Sequence, residues 1–331
     1  MMSRFSQNNN FDENRGSSMA KPSGHTPVLS NEVIKYLDPR PGQKFIDATI
    51  NGGGHAMAIL NKILSTPTGS SGPEGKILGT ELDKGIYERS LSVFGKDSYK
   101  NNVVIVNESY VNIFEIASRE NFLNADGILF DLGISSWHIE ESGKGFSFMR
   151  EEPLDMRFHG SGPTASDILN NYSQKNLEYI IREFGGESFA KSIAGGIVKR
   201  RKAKDFENTF ELVGVIKDSV PFWYRMRRIH PATKTFQAIR IEVNQELKNI
   251  EKGLDSGIRV VRSGGKIAVI SFHSLEDKII KNKFRNWQKE GKGVIMTKKP
   301  VKPDFQEIKE NIRARSAKLR VFEIKSLTSI L

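Results

Sequence analysis

Between residues 45 and 134, short apolar runs alternate with segments of helical period, and few architectures accept that rhythm. Phe45 to Ile50 reads as a strand, and Ala56, Ile59, Leu60, Ile63 and Leu64 share one face of a helix over 55–64. A strand over 76–82, a helix over 83–94, a strand over 103–107, a helix over 111–120 and a strand over 127–134 follow. Strands separated by helices need crossover connections, which implies an α/β fold with a mostly parallel, Rossmann-like sheet. The pattern then stops. Residues 140–262 are mostly helical in period, and Gly265 to His273 resumes the strand pattern. This predicts a sheet domain made of 25–139 and 236–331, an inserted helical domain over 140–235, and a return helix over roughly 235–261.

The chain has 331 residues and no cysteine, so disulfides, thiolate metal sites and cysteine nucleophiles are excluded. No apolar stretch approaches the roughly 18 residues that would cross a bilayer, and no signal-peptide pattern opens the chain, so a cytoplasmic protein is expected. Residues 1–24 hold nine Ser or Asn without apolar periodicity and read as a disordered tail, with Met19 an alternative start to Met1. The span 65–75 is a loop by composition.

The formal charge is +11, and Lys278 to Lys325 holds 15 basic against 5 acidic residues. Lys199–Lys204 and Arg225, Arg227 and Arg228 form further basic clusters. One sign repeated in three places is the footprint of a protein that meets a polyanion.

The sharpest local motif is Asp47-Ala-Thr-Ile-Asn-Gly-Gly-Gly-His55, a strand running into three glycines and then a helix. Glycines there allow close backbone approach and positive φ. Glu81, at the end of the next strand with Asp83 behind it, is placed to accept from a ribose diol. Together they predict an adenosine-type cofactor at the C-terminal ends of the first two strands. Neither G-x-G-x-x-G nor a phosphate-binding G-x-x-x-x-G-K-[ST] is present, which favours S-adenosylmethionine over a dinucleotide or ATP. Tyr110 follows strand three, where its ring either packs on adenine or merely starts a helix. Asp131 ends strand four, and an acid in an apolar strand needs a partner or a function. Two other classes fit a similar sheet: a nicotinamide-dependent oxidoreductase and a non-catalytic RNA-binding factor.

Eight blocks in order resemble the MraW family of ribosomal RNA methyltransferases. They are His25–Leu29, Asp47–His55, Asp126–Ser136, Gly145–Arg150, Pro153–Arg157, His230–Arg240, Ser271–Asp277 and Arg313–Ser316. The resemblance implies a class I S-adenosylmethionine-dependent methyltransferase fold with an inserted helical substrate domain. It also implies N4-methylation of a cytidine in the decoding region of bacterial 16S ribosomal RNA, with the small ribosomal subunit as partner; monomer and homodimer stay open. Cofactor contacts carry over to Gly53, Gly54, His55, Glu81, Tyr110, Asp131 and His138. Glu81 stands where the family usually has Asp, and Trp137-His138 replaces a usual Pro-Gln pair.

The cytosine amino nitrogen is a weak nucleophile, so an acceptor for its protons assists transfer. Asp131 is the first candidate and His273 the second. Arg150 and Arg157 are candidates for holding substrate RNA, while Phe146, Phe148, Met149 and Met156 are read as a hydrophobic joint between domains. No metal site is expected, on the reasoning that no second histidine or acid falls at ligand spacing near His230 or His273.

Overall fold

The computed structural model describes residues 27–64, 74–95 and 99–325. The predicted tail over 1–24, the two candidate starts, His25 and most of the 65–75 loop lie outside these residues.

The sheet has seven strands: β1 (Lys44–Asp47), β2 (Lys76–Thr80), β3 (Val103–Val106), β4 (Ala125–Asp131), β5 (Val261–Ser271), β6 (Gly293–Ile295) and β7 (Lys318–Ile324), in the order β3-β2-β1-β4-β5-β7-β6. β1 to β5 run parallel, while β7 is antiparallel to both β5 and β6. The crossover helices Gly54–Ile63, Lys84–Phe94 and Ile113–Arg119 follow the first three strands. Period-two alternation divides the strands between two faces. Ile128, Phe130, Ile267 and Val269 join one apolar cluster, and Leu129, Ala268 and Ile270 join the other. The chain is thus a mostly parallel α/β protein, the fold class its sequence predicts.

Residues from Phe146 to Val243 build a third apolar cluster, composed of helices and separate from the two that sandwich the sheet. Phe146, Met156 and the partly buried Phe148 pack into it, but Met149 is exposed, so it takes no part in such a joint.

Two expectations need correction. The return helix is not continuous: Thr233–Asn244 and Glu246–Gly257 meet at Gln245, whose φ is +50°. The break lets one helix serve two cores, because Phe236, Ile239 and Val243 face the helical cluster while Ile250 and Leu254 face the sheet. Asn244 secures the junction by donating to the carbonyls of Met156 and Arg240 at 2.8 and 3.0 Å. The second correction concerns the end of the chain, where the reading from sequence stopped at the strand ending near His273. β6 and β7 extend the sheet beyond it, with Leu319 and Val321 buried and the cationic Arg320 held on Asp277 at 2.7 Å.

Candidate active site

Two adjoining cavities open at the C-terminal ends of β1, β2 and β4. The smaller, about 90 Å³, is lined by Glu81, Tyr110, His138, Phe158 and Asn249 among others. The larger, about 350 Å³, is lined by Gly54, His55, Asp131, Gln237, Arg240, Phe272, His273, Glu276 and Arg313 among others. Asn51 and Gly133 belong to both walls.

β1 delivers Asp47 and then a turn ending at Gly53, which has φ +78° and precedes the Gly54–Ile63 helix. Gly53 lines neither cavity; a Cβ there would lie 2.5 Å from the Phe94 ring. Its missing side chain lets the turn close down on the next crossover helix. Asp47 is buried and one carboxylate oxygen has no hydrogen-bond partner, and burial pushes its pKa up to about 7.

Glu81 lies one residue past β2. Its carboxylate accepts from the Asp83 backbone at 2.9 Å, and burial, with the charge of Asp83 as a smaller cause, pushes it up to about 7. Asp83 caps the Lys84–Phe94 helix through Gly85 and Ile86, and its second oxygen takes Lys144 Nζ at 2.7 Å. His138 is buried against the stacked Phe146 and Phe158 rings. Its Nδ1 accepts from the Ser135 backbone at 3.2 Å, which leaves the proton on Nε2, and Nε2 lies 3.7 Å from the buried Asp83 carboxylate, beyond hydrogen-bond distance. Burial holds its pKa down to about 4, against the pull of Asp83, so the ring is neutral. Tyr110 stands edge-on to Phe130, and the Glu246–Gly257 helix comes so close that a Cβ on Gly253 would lie 2.4 Å from the ring.

Asp131, at the end of β4, has one buried oxygen without a partner and the other 3.8 Å from His55 Nε2. Burial raises its pKa to about 8, reinforced by Asp47 and Glu276. His273 caps the Ser274–Lys289 helix, with Nδ1 accepting from the Glu276 backbone at 3.4 Å and Nε2 3.2 Å from the Glu276 carboxylate. The reasoning that no acid stands near His273 is therefore corrected: Glu276 follows it by three residues, and Glu246 comes close as well, with ligand atoms of all three within 4.8 Å of one another. Arg240 already binds Glu246 through both guanidinium arms at 2.8 and 3.0 Å, so this group forms an ion-pair network with its positive charge supplied by the chain.

A model of the MraW methylase family matches residues 22–325. The chain belongs to that family. Among its relatives, the ribosomal RNA small subunit methyltransferase H of Persephonella marina is 43% identical over 298 residues, covering 90% of this chain and 98% of the relative. The protein of the same description from Dictyoglomus thermophilum is 44% identical over 301 residues, covering 90% and 96%. This MraW chain is an S-adenosylmethionine-dependent methyltransferase. Its own residues fit that cofactor: the Glu81 carboxylate and the His138 ring line one small cavity, and Asp131, one of whose buried oxygens has no hydrogen-bond partner, lines the larger cavity beside it.

Of the residues singled out from sequence, Gly54, His55, Asp131 and His273 meet in the larger cavity, and Glu81, Tyr110 and His138 in the smaller. The two arginines do not join them. Arg157 is clamped by Asp155 at 2.8 Å through two nitrogens and also donates to the carbonyls of Gly160 and Gly162, so it shapes its own loop. Arg150 is exposed and donates to the Glu140 carbonyl. Gln237, Arg240, Glu276 and Arg313 line the larger cavity but were not singled out. Each lies inside one of the quoted MraW blocks, which was the signal available.

Proposed function

We propose that this chain methylates N4 of a cytidine in the decoding region of bacterial 16S ribosomal RNA, acting in the cytoplasm on the small subunit or its RNA. The observation that carries the reaction type is Asp131: a buried carboxyl with a partnerless oxygen in a cavity that adjoins the cofactor-type cavity through Asn51 and Gly133. Names of relatives supply the nucleic-acid class.

Bound S-adenosylmethionine supplies an electrophilic methyl on a sulfonium. The chain's own residues do the rest. Glu81 would accept from the cofactor's ribose hydroxyls, Tyr110 would pack by its adenine, and the neutral His138 ring would close the same small cavity. In the larger cavity the target base lies with its amino group toward Asp131. Hydrogen bonding to Asp131 Oδ1 localises the nitrogen lone pair, and the carboxylate takes up the proton that the methylated nitrogen sheds. Glu276 and the helix N-terminus fix the His273 ring beside it. Most of the acceleration is positioning, since transfer needs only in-line contact. The helical unit over 140–235 is the arm that presents the RNA.

Labelled methyl transfer to small subunits lacking the mark, followed by mass-spectrometric mapping of cytidine, tests the reading. Incorporation at one cytidine amino group is expected, and no transfer to any ribosomal particle rejects it.

A further inference from the structure

The helical unit carries a surface that the reaction does not use. Phe222, Trp223, Met226 and Ile229 are 72%, 55%, 71% and 57% exposed within eight residues of chain. Arg225, Arg227 and Arg228 are interleaved with them, and none of these three takes part in an ion pair among the described residues. The rings are not loosely held. Tyr224 is buried with its hydroxyl donating to Glu187 at 2.6 Å, and Trp223 stands edge-on to both Tyr224 and Phe189. The Arg227 guanidinium lies 4.8 and 4.9 Å from the Trp223 and Tyr224 ring centres.

A path of contacts links this knob to the active site. His230 stacks on Phe148 at 4.7 Å and 6°, and Phe148 precedes Met149 and Arg150. Arg150 donates to the Glu140 carbonyl, and the Glu140 carboxylate takes Arg313, which lines the larger cavity beside Asp131. In the other direction the helix Thr233–Asn244 begins three residues after His230 and carries Gln237 into the same cavity, roughly 6 Å along the helix from Thr233.

We infer that Phe222 to Ile229 is a stacking platform for unpaired nucleotides flanking the target base, with Arg225, Arg227 and Arg228 on their phosphates. The inference rests on the RNA-methyltransferase reading above and adds where the substrate is gripped. Solvent-facing rings interleaved with unpaired arginines match bases that have left a stack, since a duplex hides its base faces and offers only backbone. A second copy of the chain fits less well, because a two-fold contact would set the same three arginines against themselves.

The test uses the full chain with S-adenosylhomocysteine, a decoding-region RNA hairpin as the anisotropy probe, and under-methylated small subunits as the kinetic substrate. Phe222→Ala with Trp223→Ala should weaken hairpin binding by roughly 5- to 150-fold per lost stack, and raise KM for subunits more than it lowers kcat. Trp223→Phe should restore most of the affinity. Arg227→Ala with Arg228→Ala should flatten the slope of log K against log salt by about 1.4. Unchanged affinity and KM in both double variants overturn the platform, as does a shift from dimer to monomer with RNA affinity kept. Failure of the unmodified protein to methylate any particle would instead reject the parent reading, and the hairpin titrations would still decide the platform.

Discussion

In the proposed reaction Asp131 takes up the proton, and its burial makes a pH prediction. In the cofactor-free protein it ionises at about 8, so it is mostly protonated at neutral pH. A cation bound beside it favours the carboxylate. Affinity for S-adenosylmethionine should therefore rise by up to about tenfold per pH unit below 8, with proton release on binding, whereas the uncharged sulfur of S-adenosylhomocysteine should give a flatter profile. Calorimetry in two buffers of different ionisation enthalpy measures both, and identical profiles for the two ligands would count against the assignment. Asp131→Asn keeps the shape and loses the proposed base. We expect kcat to fall by roughly 10²–10⁴-fold with product-analogue binding retained, in single-turnover assays on subunits. His138→Phe, which replaces a polar ring of the smaller cavity with an apolar one, should weaken cofactor binding with little effect on kcat at saturation; unchanged affinity would remove His138 from the proposed site.

At the scale of elements, the turn between β1 and the Gly54–Ile63 helix is set by one backbone angle. Gly53→Ala places a Cβ at φ +78° and against the Phe94 ring, so it should cost about 1–3 kcal/mol in denaturant titrations as well as cofactor affinity. An unchanged midpoint would show that the ring simply moves aside. The first four strands were legible in sequence because each is a short apolar run closed by a glycine or a cap, as at Asp83. The antiparallel pair of β6 and β7 was hidden by its own charge. Lys318 and Arg320 alternate with Leu319 and Val321, and Arg320 is buried only because Asp277 neutralises it from another element. The break at Gln245 has no breaker residue to announce it; Arg240 and Asn244 impose it through partners that only the fold brings near. Arg157 was misleading for the related reason that Asp155, two residues away, occupies its guanidinium. Glycines and carboxylates at strand ends pointed to the proposed cofactor side, whereas the proposed acceptor side is assembled from distant blocks.

For the molecule as a whole, Asp47, Glu81 and Asp131 are buried carboxyls that ionise at about 7, 7 and 8. Unfolded, such groups ionise near about 4. Between those limits the folded chain holds more protons, so raising the pH favours unfolding, by about 1.4 kcal/mol per pH unit for each group still protonated. His138 acts in the opposite sense, but its window runs from about 4 to the unfolded value of about 6.5 and closes below this range. The cofactor-free protein should therefore melt at progressively lower temperature from pH 6.5 to 8, and saturating S-adenosylmethionine should flatten the trend. A melting temperature that rises over that window would contradict the burial of these acids. The partition of Asn51 and Gly133, finally, is a wall that in the proposed reaction has a tenant on each side. Whichever ligand arrives first stills atoms that the other must also rest upon, so part of the ordering cost falls on the first comer alone. Donor and acceptor RNA should accordingly tighten one another's hold by the same factor, a reciprocity written into the masonry of two residues.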